Sequence, residues 1–154
     1  MKNSKEVKKG EFLQRGGELS THVFEVKKGL LRGYTIDDKG KEHIFIFGSE
    51  GWIVGDNVSH GEKGELFIDA IEDSVIIPIS KKTPPKSNVM KLHKRISVLQ
   101  KRVIMLMSAP AIDRYNHFLE TYPDIRQRVP QKMVASFLGI TPEALSKIRG
   151  EKSK

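Results

Sequence analysis

Three polar side chains near the C-terminal end of the chain lie at helical spacing. Glu143, Ser146 and Lys147 would share one face of an α-helix, because residues three and four positions apart lie on the same side of a helix. Glutamate can accept a hydrogen bond from a cytosine amino group, lysine can donate one to guanine, and serine can serve either edge. The spacing therefore indicates a helix that contacts bases in the major groove of DNA. The alternative for each residue is an ordinary solvated surface position.

The surrounding residues, 131–150, have the layout of a helix-turn-helix. Gly139 suits the sharp turn because glycine tolerates left-handed backbone angles, and Ala135 is small where the two helices cross. Thr141 is a good N-cap, and Pro142 suits the first helical position, where its missing N–H costs nothing. The alternative is a plain two-helix hairpin. Five apolar residues would pack the two helices together: Val134, Leu138, Ile140, Leu145 and Ile148.

Other side chains of the second helix also lie outside this apolar stripe. Thr141 has a hydroxyl that can serve either kind of base edge, and Ala144 is small. Arg149 comes late in the helix and suits a phosphate contact better than a base contact.

Composition and charge exclude several classes of function. The 154-residue chain has a net charge of +8 and no cysteine, which excludes disulfides, thiolate nucleophiles and Cys-ligated metals. Residues 1–80 carry 11 Lys and Arg against 14 Asp and Glu, whereas residues 81–154 carry 16 against 5. A polyanion such as nucleic acid is the natural partner of the basic half, and the helix-turn-helix layout points to double-stranded DNA. A membrane is not an expected partner, and the lack of a long apolar run or secretory leader predicts a cytoplasmic protein.

The acidic half has the pattern of β-structure. Short runs of β-forming residues are separated by turn signals such as Lys28-Gly29 and Gly61 to Gly64. Many short strands at close spacing predict a sandwich or a barrel-like roll. Pro84-Pro85 then predicts a linker. The predicted strands are His22–Val26, Leu30–Ile36, His43–Phe47, Trp52–Val54, Leu66–Ile71 and Ser74–Ile79.

After the prolines the apolar residues recur by threes and fours, which predicts a long helix with an apolar seam across roughly three heptads. Such a seam usually pairs with a copy of itself, so we expect a homodimer. A helix of about 19 residues would span about 28 Å, which is long for packing on a small roll. The alternative is a long helix docked on its own domain. The predicted interface residues are Val89, Leu92, Ile96, Leu99, Val103 and Leu106.

Patterns typical of enzymes are weak. The five histidines are scattered singly, without the His-x-His spacing of many metal sites. Gly61-Glu62-Lys63-Gly64 lacks the Gly-Lys-Ser/Thr end of a phosphate loop. The carboxylate pairs Asp37-Asp38 and Glu72-Asp73 are adjacent rather than opposed, which suits turns better than acid–base catalysis. We therefore expect a protein that is not an enzyme and that has no metal and no cofactor.

The order of these parts resembles the Crp/Fnr family of bacterial transcription regulators over nearly the whole chain. Its most specific segments, 122–131 and 135–149, look like the branch common in Bacteroidetes, while 9–13, 26–32 and 38–42 look like a cyclic-nucleotide-binding β-roll. The expected fold class is α+β. Its expected parts are a cyclic-nucleotide-binding-like β-roll over residues 1–82, a linker and dimerisation helix over residues 83–107 and a helix-turn-helix domain over residues 108–154.

The resemblance implies a homodimer that places two recognition helices in successive major grooves. It also implies RNA polymerase as a partner and a small-molecule effector, whose identity the sequence does not give. The alternative function is a protein-binding or scaffold module whose DNA contact is incidental. By motif position, the recognition residues would be Thr141, Glu143, Ser146 and Lys147, with Arg128 and Gln131 near the DNA backbone.

The expected effector pocket departs from the family pattern. Family members that bind cyclic AMP have a Gly-Glu pair, followed about ten residues later by an arginine that clamps the phosphate. Gly55-Asp56 could stand for the first pair, but no arginine occurs between Arg32 and Arg95. Carboxylates nearby would repel a phosphate, so cyclic AMP binding is not expected. These carboxylates are Glu62, Glu65 and Asp69, and Lys63 is the nearby substitute cation.

Two further departures concern the ends. The chain begins almost at the roll, without the usual helical lead, and its linker is short. It also ends six residues after Ile148, and the usual β-wing beside the helix-turn-helix is not expected.

Overall fold

A computed structural model of the chain describes residues 3–83 and 89–154, so the predicted linker at Pro84-Pro85 lies outside the described residues. The backbone divides into two compact units, one ending at Pro84 and the other beginning at Pro85. The first unit contains the strands and the second the helices, which makes the fold class α+β as expected. Within the described ranges, no helix is long and apolar enough to cross a membrane.

The described part of the first unit has eight strands. They are β1 (Lys5–Val7), β2 (Phe12–Gln14), β3 (His22–Lys28), β4 (Leu31–Ile36), β5 (Glu42–Gly48), β6 (Ile53–Val54), β7 (Phe67–Ala70) and β8 (Ser74–Ser80). They form two antiparallel four-stranded sheets, ordered β1-β8-β3-β6 and β2-β7-β4-β5.

The six predicted strands are confirmed, with ends displaced by no more than two residues. The strands β1 and β2 are additional to the prediction. Their sequences, Lys-Glu-Val and Phe-Leu-Gln, show no apolar–polar alternation by which a strand is detected. Pairing of β1 with β8 and of β2 with β7 fixes them instead.

Alternation along the strands separates a core face from a second face. Val26, Leu31 and Ile76 are buried in the core between the sheets. In β7, Ile68 and Ala70 also belong to that core, so Asp69 between them projects from the opposite face of its sheet. This placement determines what Asp69 can contact.

The second unit contains four α-helices and one 3-10 turn among its described residues. The helices are α1 (Val89–Ser108), α2 (Ala111–Thr121), α3 (Gln131–Leu138) and α4 (Pro142–Lys152), and the 3-10 turn is Ile125–Gln127. Aromatic rings from α2, from its C-cap residue and from α3 form the centre of this unit. Phe118, Tyr122 and Phe137 lie with their ring centroids 5.6–5.7 Å apart, a separation typical of favourable aromatic pairs.

Candidate nucleic-acid interface

The turn that joins α3 to α4 has the predicted geometry. Gly139 adopts φ 66° and ψ 33°, in the left-handed region. Its N–H donates to the carbonyl of Ser136 at 3.1 Å, and the N–H of Ile140 donates to the carbonyl of Ala135 at 3.1 Å. These two bonds form a Schellman motif, which satisfies carbonyls at the end of α3. The prediction for Gly139 is therefore confirmed.

The start of α4 also follows the sequence. Thr141 has extended backbone angles, and its Oγ1 accepts a hydrogen bond from the N–H of Ala144 at 3.2 Å. Pro142 occupies the first turn, and Glu143 places a negative charge near the positive end of the helix. A cap of this kind fixes where α4 begins and hence which of its side chains face outward.

Packing of α4 on α3 leaves a polar face uncovered. Leu145 and Ile148 are buried, as are the α3 residues Val134, Ala135 and Leu138. Ile140 is only half-buried, so the turn contributes less to the packing than the sequence predicts. The residues with the predicted recognition role all lie exposed: Thr141, Glu143, Ser146 and Lys147.

The residues expected beside the DNA backbone are distributed around this helix pair. Gln131 is exposed at the first position of α3. Arg128 is half-buried just after the 3-10 turn, where its N–H donates to the carbonyl of Ile125 at 2.8 Å. Arg149 is half-buried in α4, and its Nε is a buried donor without a hydrogen-bond partner among the described residues.

The seam of α1 is apolar and largely uncovered. Val89, Leu92, Ile96 and Val103 are each between 52% and 59% exposed. Leu99 and Leu106 are half-buried. Four further large apolar side chains of α1 are also exposed, namely Met90, Val98, Ile104 and Met107.

Asp56 of the expected effector pocket is held by the chain itself. Its buried carboxylate oxygen Oδ2 accepts hydrogen bonds from the N–H groups of Glu65 and Leu66, at 2.6 and 2.8 Å. The amide Nε2 of Gln14 lies 3.3 Å from the same oxygen. A Cβ added at Gly55 would lie 2.4 Å from Cγ1 of Val23. These structural roles account for both residue types without a ligand.

A cavity of about 300 Å³ occurs elsewhere in the first unit. Its lining includes the side chains of Phe12, Gln14, Phe24 and Ile76 and does not include Gly55 or Asp56. Within the described residues, no group of three or more His, Asp or Glu side chains could hold a metal ion.

Asp69 is paired with an arginine and is not the free carboxylate that the sequence suggests. Instead of standing free to repel a phosphate, both of its carboxylate oxygens bind the guanidinium of Arg32, from Nε at 2.8 Å and from Nη2 at 3.0 Å. Nη1 of Arg32 donates to Glu42 at 2.6 Å. The expectation of a free Asp69 carboxylate is wrong, because strand pairing places Arg32 directly opposite Asp69 and offsets its charge.

Tyr34 completes this buried cluster. Its ring centroid lies 4.1 Å from the guanidinium carbon of Arg32, and its hydroxyl lies 3.4 Å from Oδ2 of Asp69. Burial, reinforced by the negative charge of Asp69, raises the pKa of the Tyr34 phenol to about 12. Burial by itself lowers the pKa of Arg32, but its bonds to Asp69 and Glu42 more than offset this and raise that pKa.

Comparison with known proteins finds similarity to bacterial regulatory proteins in sequence and in fold. No family model matches the sequence. Electron transport regulator A of Shewanella oneidensis is 23% identical over 175 aligned residues, which cover 100% of this chain and 70% of the relative. A transcriptional regulator of the CRP/FNR family from Thermus thermophilus has a TM-score of 0.76 at 17% identity, covering 98% of this chain and 86% of that one. The chain is similar to Crp/Fnr regulators.

Two further proteins show the same similarity. Transcriptional activator protein Anr of Pseudomonas aeruginosa is 27% identical over 138 residues, which cover 90% of this chain and 53% of the relative. The structure of FixK2 from Bradyrhizobium japonicum has a TM-score of 0.74 at 18% identity, covering 97% of this chain and 83% of that one. The resemblance to Crp/Fnr regulators seen in the sequence is thus confirmed, and the likeness to the solved structures extends to the fold.

Proposed function

We propose that this chain is a sequence-specific DNA-binding transcription regulator in which α3 and α4 form the helix-turn-helix. The observation that carries the proposal is the exposed polar face of a capped α4, which has residue types suited to base edges. Homology to Crp/Fnr regulators supports the same function. In this proposal α4 lies in the major groove, as the second helix of such motifs does.

The exposed residues divide into two roles. Glu143, Ser146 and Lys147 contact base edges, while Thr141 lies at the end of the helix that enters the groove first. Arg128, Gln131 and Arg149 contact phosphates and hold the helix in register. Base contacts give specificity, whereas phosphate contacts give affinity that depends on salt.

A homodimer paired through α1 would present two such helices. The half-exposed apolar seam supports this assembly, because large apolar side chains exposed along one helix mark an interaction surface. Residues 1–82 would be the sensor domain, residues 83–107 the linker and dimerisation helix and residues 108–154 the DNA-binding domain. The regulator would act in the cytoplasm with RNA polymerase as a partner. Its effector would differ from cyclic AMP.

Selection from a randomised DNA library tests the function. We expect the full chain to select a palindromic motif with half-site centres about 34–36 Å apart. Lys147→Ala should cost about 1–3 kcal/mol on that motif and relax the preference at one base pair of each half-site. A matched control is Lys154→Ala, which removes an exposed lysine beyond the end of α4.

Phosphate contacts should behave differently from base contacts. Arg128→Ala should weaken binding to all sequences alike and lower the salt slope by about one unit for each phosphate that the protein no longer neutralises. Identical motifs from the wild type and Lys147→Ala would show that α4 does not read sequence. Occupancy of random sequences by the wild type would favour the scaffold function instead.

A further inference from the structure

Two arginines connect the end of α1 to the end of α3. Arg114 of α2 donates from Nε to the carbonyl of Ala109 at 3.0 Å and from Nη2 to the carbonyl of Leu106 at 2.8 Å. Its third donor, Nη1, reaches the carbonyl of Leu138 at 3.2 Å. One half-buried guanidinium therefore bridges the C-terminal ends of two helices.

Arg102 of α1 makes a second connection next to the first. Its Nη2 donates to the carbonyl of Phe137 at 3.2 Å, and its guanidinium carbon lies 3.8 Å from the centroid of the Phe137 ring. Burial lowers the pKa of this half-buried guanidinium. Phe137 is itself buried in the aromatic centre of the unit, so Arg102 is attached to a fixed point.

The chemistry of helix ends explains these contacts. The last carbonyls of a helix have no partner within the helix and carry a partial negative charge. A planar guanidinium with several donors in fixed directions can satisfy carbonyls from two helices at once, and its fork is more rigid than a flexible ammonium. Directional bonds of this kind restrict the angle at which the two helices meet.

We propose that Arg102 and Arg114 are positioning residues for DNA recognition and that they fix the orientation of the α3–α4 pair relative to α1. This inference rests on the proposed function, because orientation matters only if α1 pairs two chains and α4 enters the groove. We call Arg102 and Arg114 together the arginine joint. It sets the spacing and angle between the two recognition helices of a dimer, and thus the operator spacing that the dimer accepts.

A distance measurement tests the arginine joint without DNA. Because the chain has no cysteine, spin labels can be attached at Lys94→Cys on α1 and Glu151→Cys on α4, both exposed positions. Electron–electron double resonance on labelled chains, diluted into excess unlabelled chain, reports the distance within one chain. Arg114→Met and Arg102→Met should broaden that distribution, while Arg95→Met, an exposed arginine of the same α1 helix, should leave it unchanged.

Binding to operators of altered spacing tests the functional consequence. Each variant should bind a single half-site as the wild type does but lose at least about tenfold of the advantage that comes from engaging both half-sites. It should also accept operators lengthened or shortened by one base pair, which a simple loss of stability would not produce. Arg102→Lys, which keeps the charge but not the planar fork, should give an intermediate result and serves as the test if a methionine variant loses helix content.

The outcomes separate the two proposals. A wild type that selects no DNA motif would defeat the proposed function, and the distance distributions would still decide whether the joint fixes the helix angle. Unchanged distributions and unchanged spacing preference in both methionine variants would overturn the arginine joint while leaving DNA binding intact.

Discussion

Pairing of α1 with a second copy can be tested by placing a charge in the seam. Ile96 is 52% exposed in the single chain, so Ile96→Glu should not disturb the core of the chain itself. Complete burial of an isoleucine side chain contributes about 1.5–3 kcal/mol, and the exposed half therefore contributes about 1 kcal/mol. A homodimer carries the substitution twice, which doubles the loss to about 2 kcal/mol.

The charge adds to this loss. A carboxylate left unpaired in a desolvated interface costs several kcal/mol, less where the side chain reaches water at the edge. We expect the dimer to weaken by at least about 3–4 kcal/mol, which raises its Kd by a factor of several hundred. Ser97→Glu introduces the same charge at the next, exposed position, off the seam, and should change the Kd little.

Sedimentation equilibrium across a range of protein concentrations measures the dimer Kd of the wild type and of each variant. Circular dichroism verifies that the helix content is unchanged. The wild type should be dimeric at micromolar concentration, Ser97→Glu should remain so, and Ile96→Glu should be monomeric. A monomeric wild type would refute the seam argument outright. Equal weakening by both variants would mean that net charge, rather than the seam, controls the association.

Three other predictions depend on individual hydrogen bonds or buried groups. Calorimetric titration with cyclic AMP or cyclic GMP at millimolar concentration should give no saturable heat, because Asp56 is already bonded within the roll; a micromolar Kd would contradict this. Thr141→Ala should lower the free energy of unfolding by about 1 kcal/mol, because it removes the N-cap bond of α4. Thr141→Ser keeps a hydroxyl that can accept this bond and should retain most of that free energy. The pKa of Tyr34 is raised from about 10 in the unfolded chain to about 12 in the fold. The contribution of Tyr34 to the free energy of unfolding should therefore be fully present below pH 10 and lost as pH rises through 12. This loss is about 3 kcal/mol, which urea denaturation would detect. Tyr34→Phe should remove this alkaline loss, and an identical loss in that variant would assign it to other groups.

The part of the site that could be predicted depends on neighbours close in sequence. The bonds around Gly139 and the Thr141 cap join residues three to five positions apart, so the residue types alone specify them. The same holds for the buried stripe of Leu145 and Ile148, since helical spacing is enough to place both on one face. Local signals therefore determine which polar side chains of α4 face outward.

The misjudged residue, Asp69, depends on contacts between distant positions. Its closeness in sequence to Glu62 and Glu65 suggests one group of carboxylates, but it faces Arg32 across a strand pair. One signal does exist in the sequence, since Asp69 lies between two apolar residues of a predicted strand and must project from its other face. Which residue it meets there depends on register between β4 and β7, and the sequence does not specify that register.

The two ends of α1 differ in what covers them, and under the proposed function this difference would link dimer assembly to DNA recognition. Near its start, Val89 and Leu92 are exposed apolar residues. Near its end, Arg102 bonds to α3, and a Cβ added at Gly139 would lie 3.9 Å from Leu106 Cδ2. Val103 follows Arg102 in the helix and is 55% exposed. The last turns of α1 therefore present one side to the α3–α4 turn and leave the apolar seam open. In the proposed homodimer, a change in how two copies of α1 pack at this end would act on the side chains proposed to hold the helix pair, because packed interiors transmit displacement rather than absorb it.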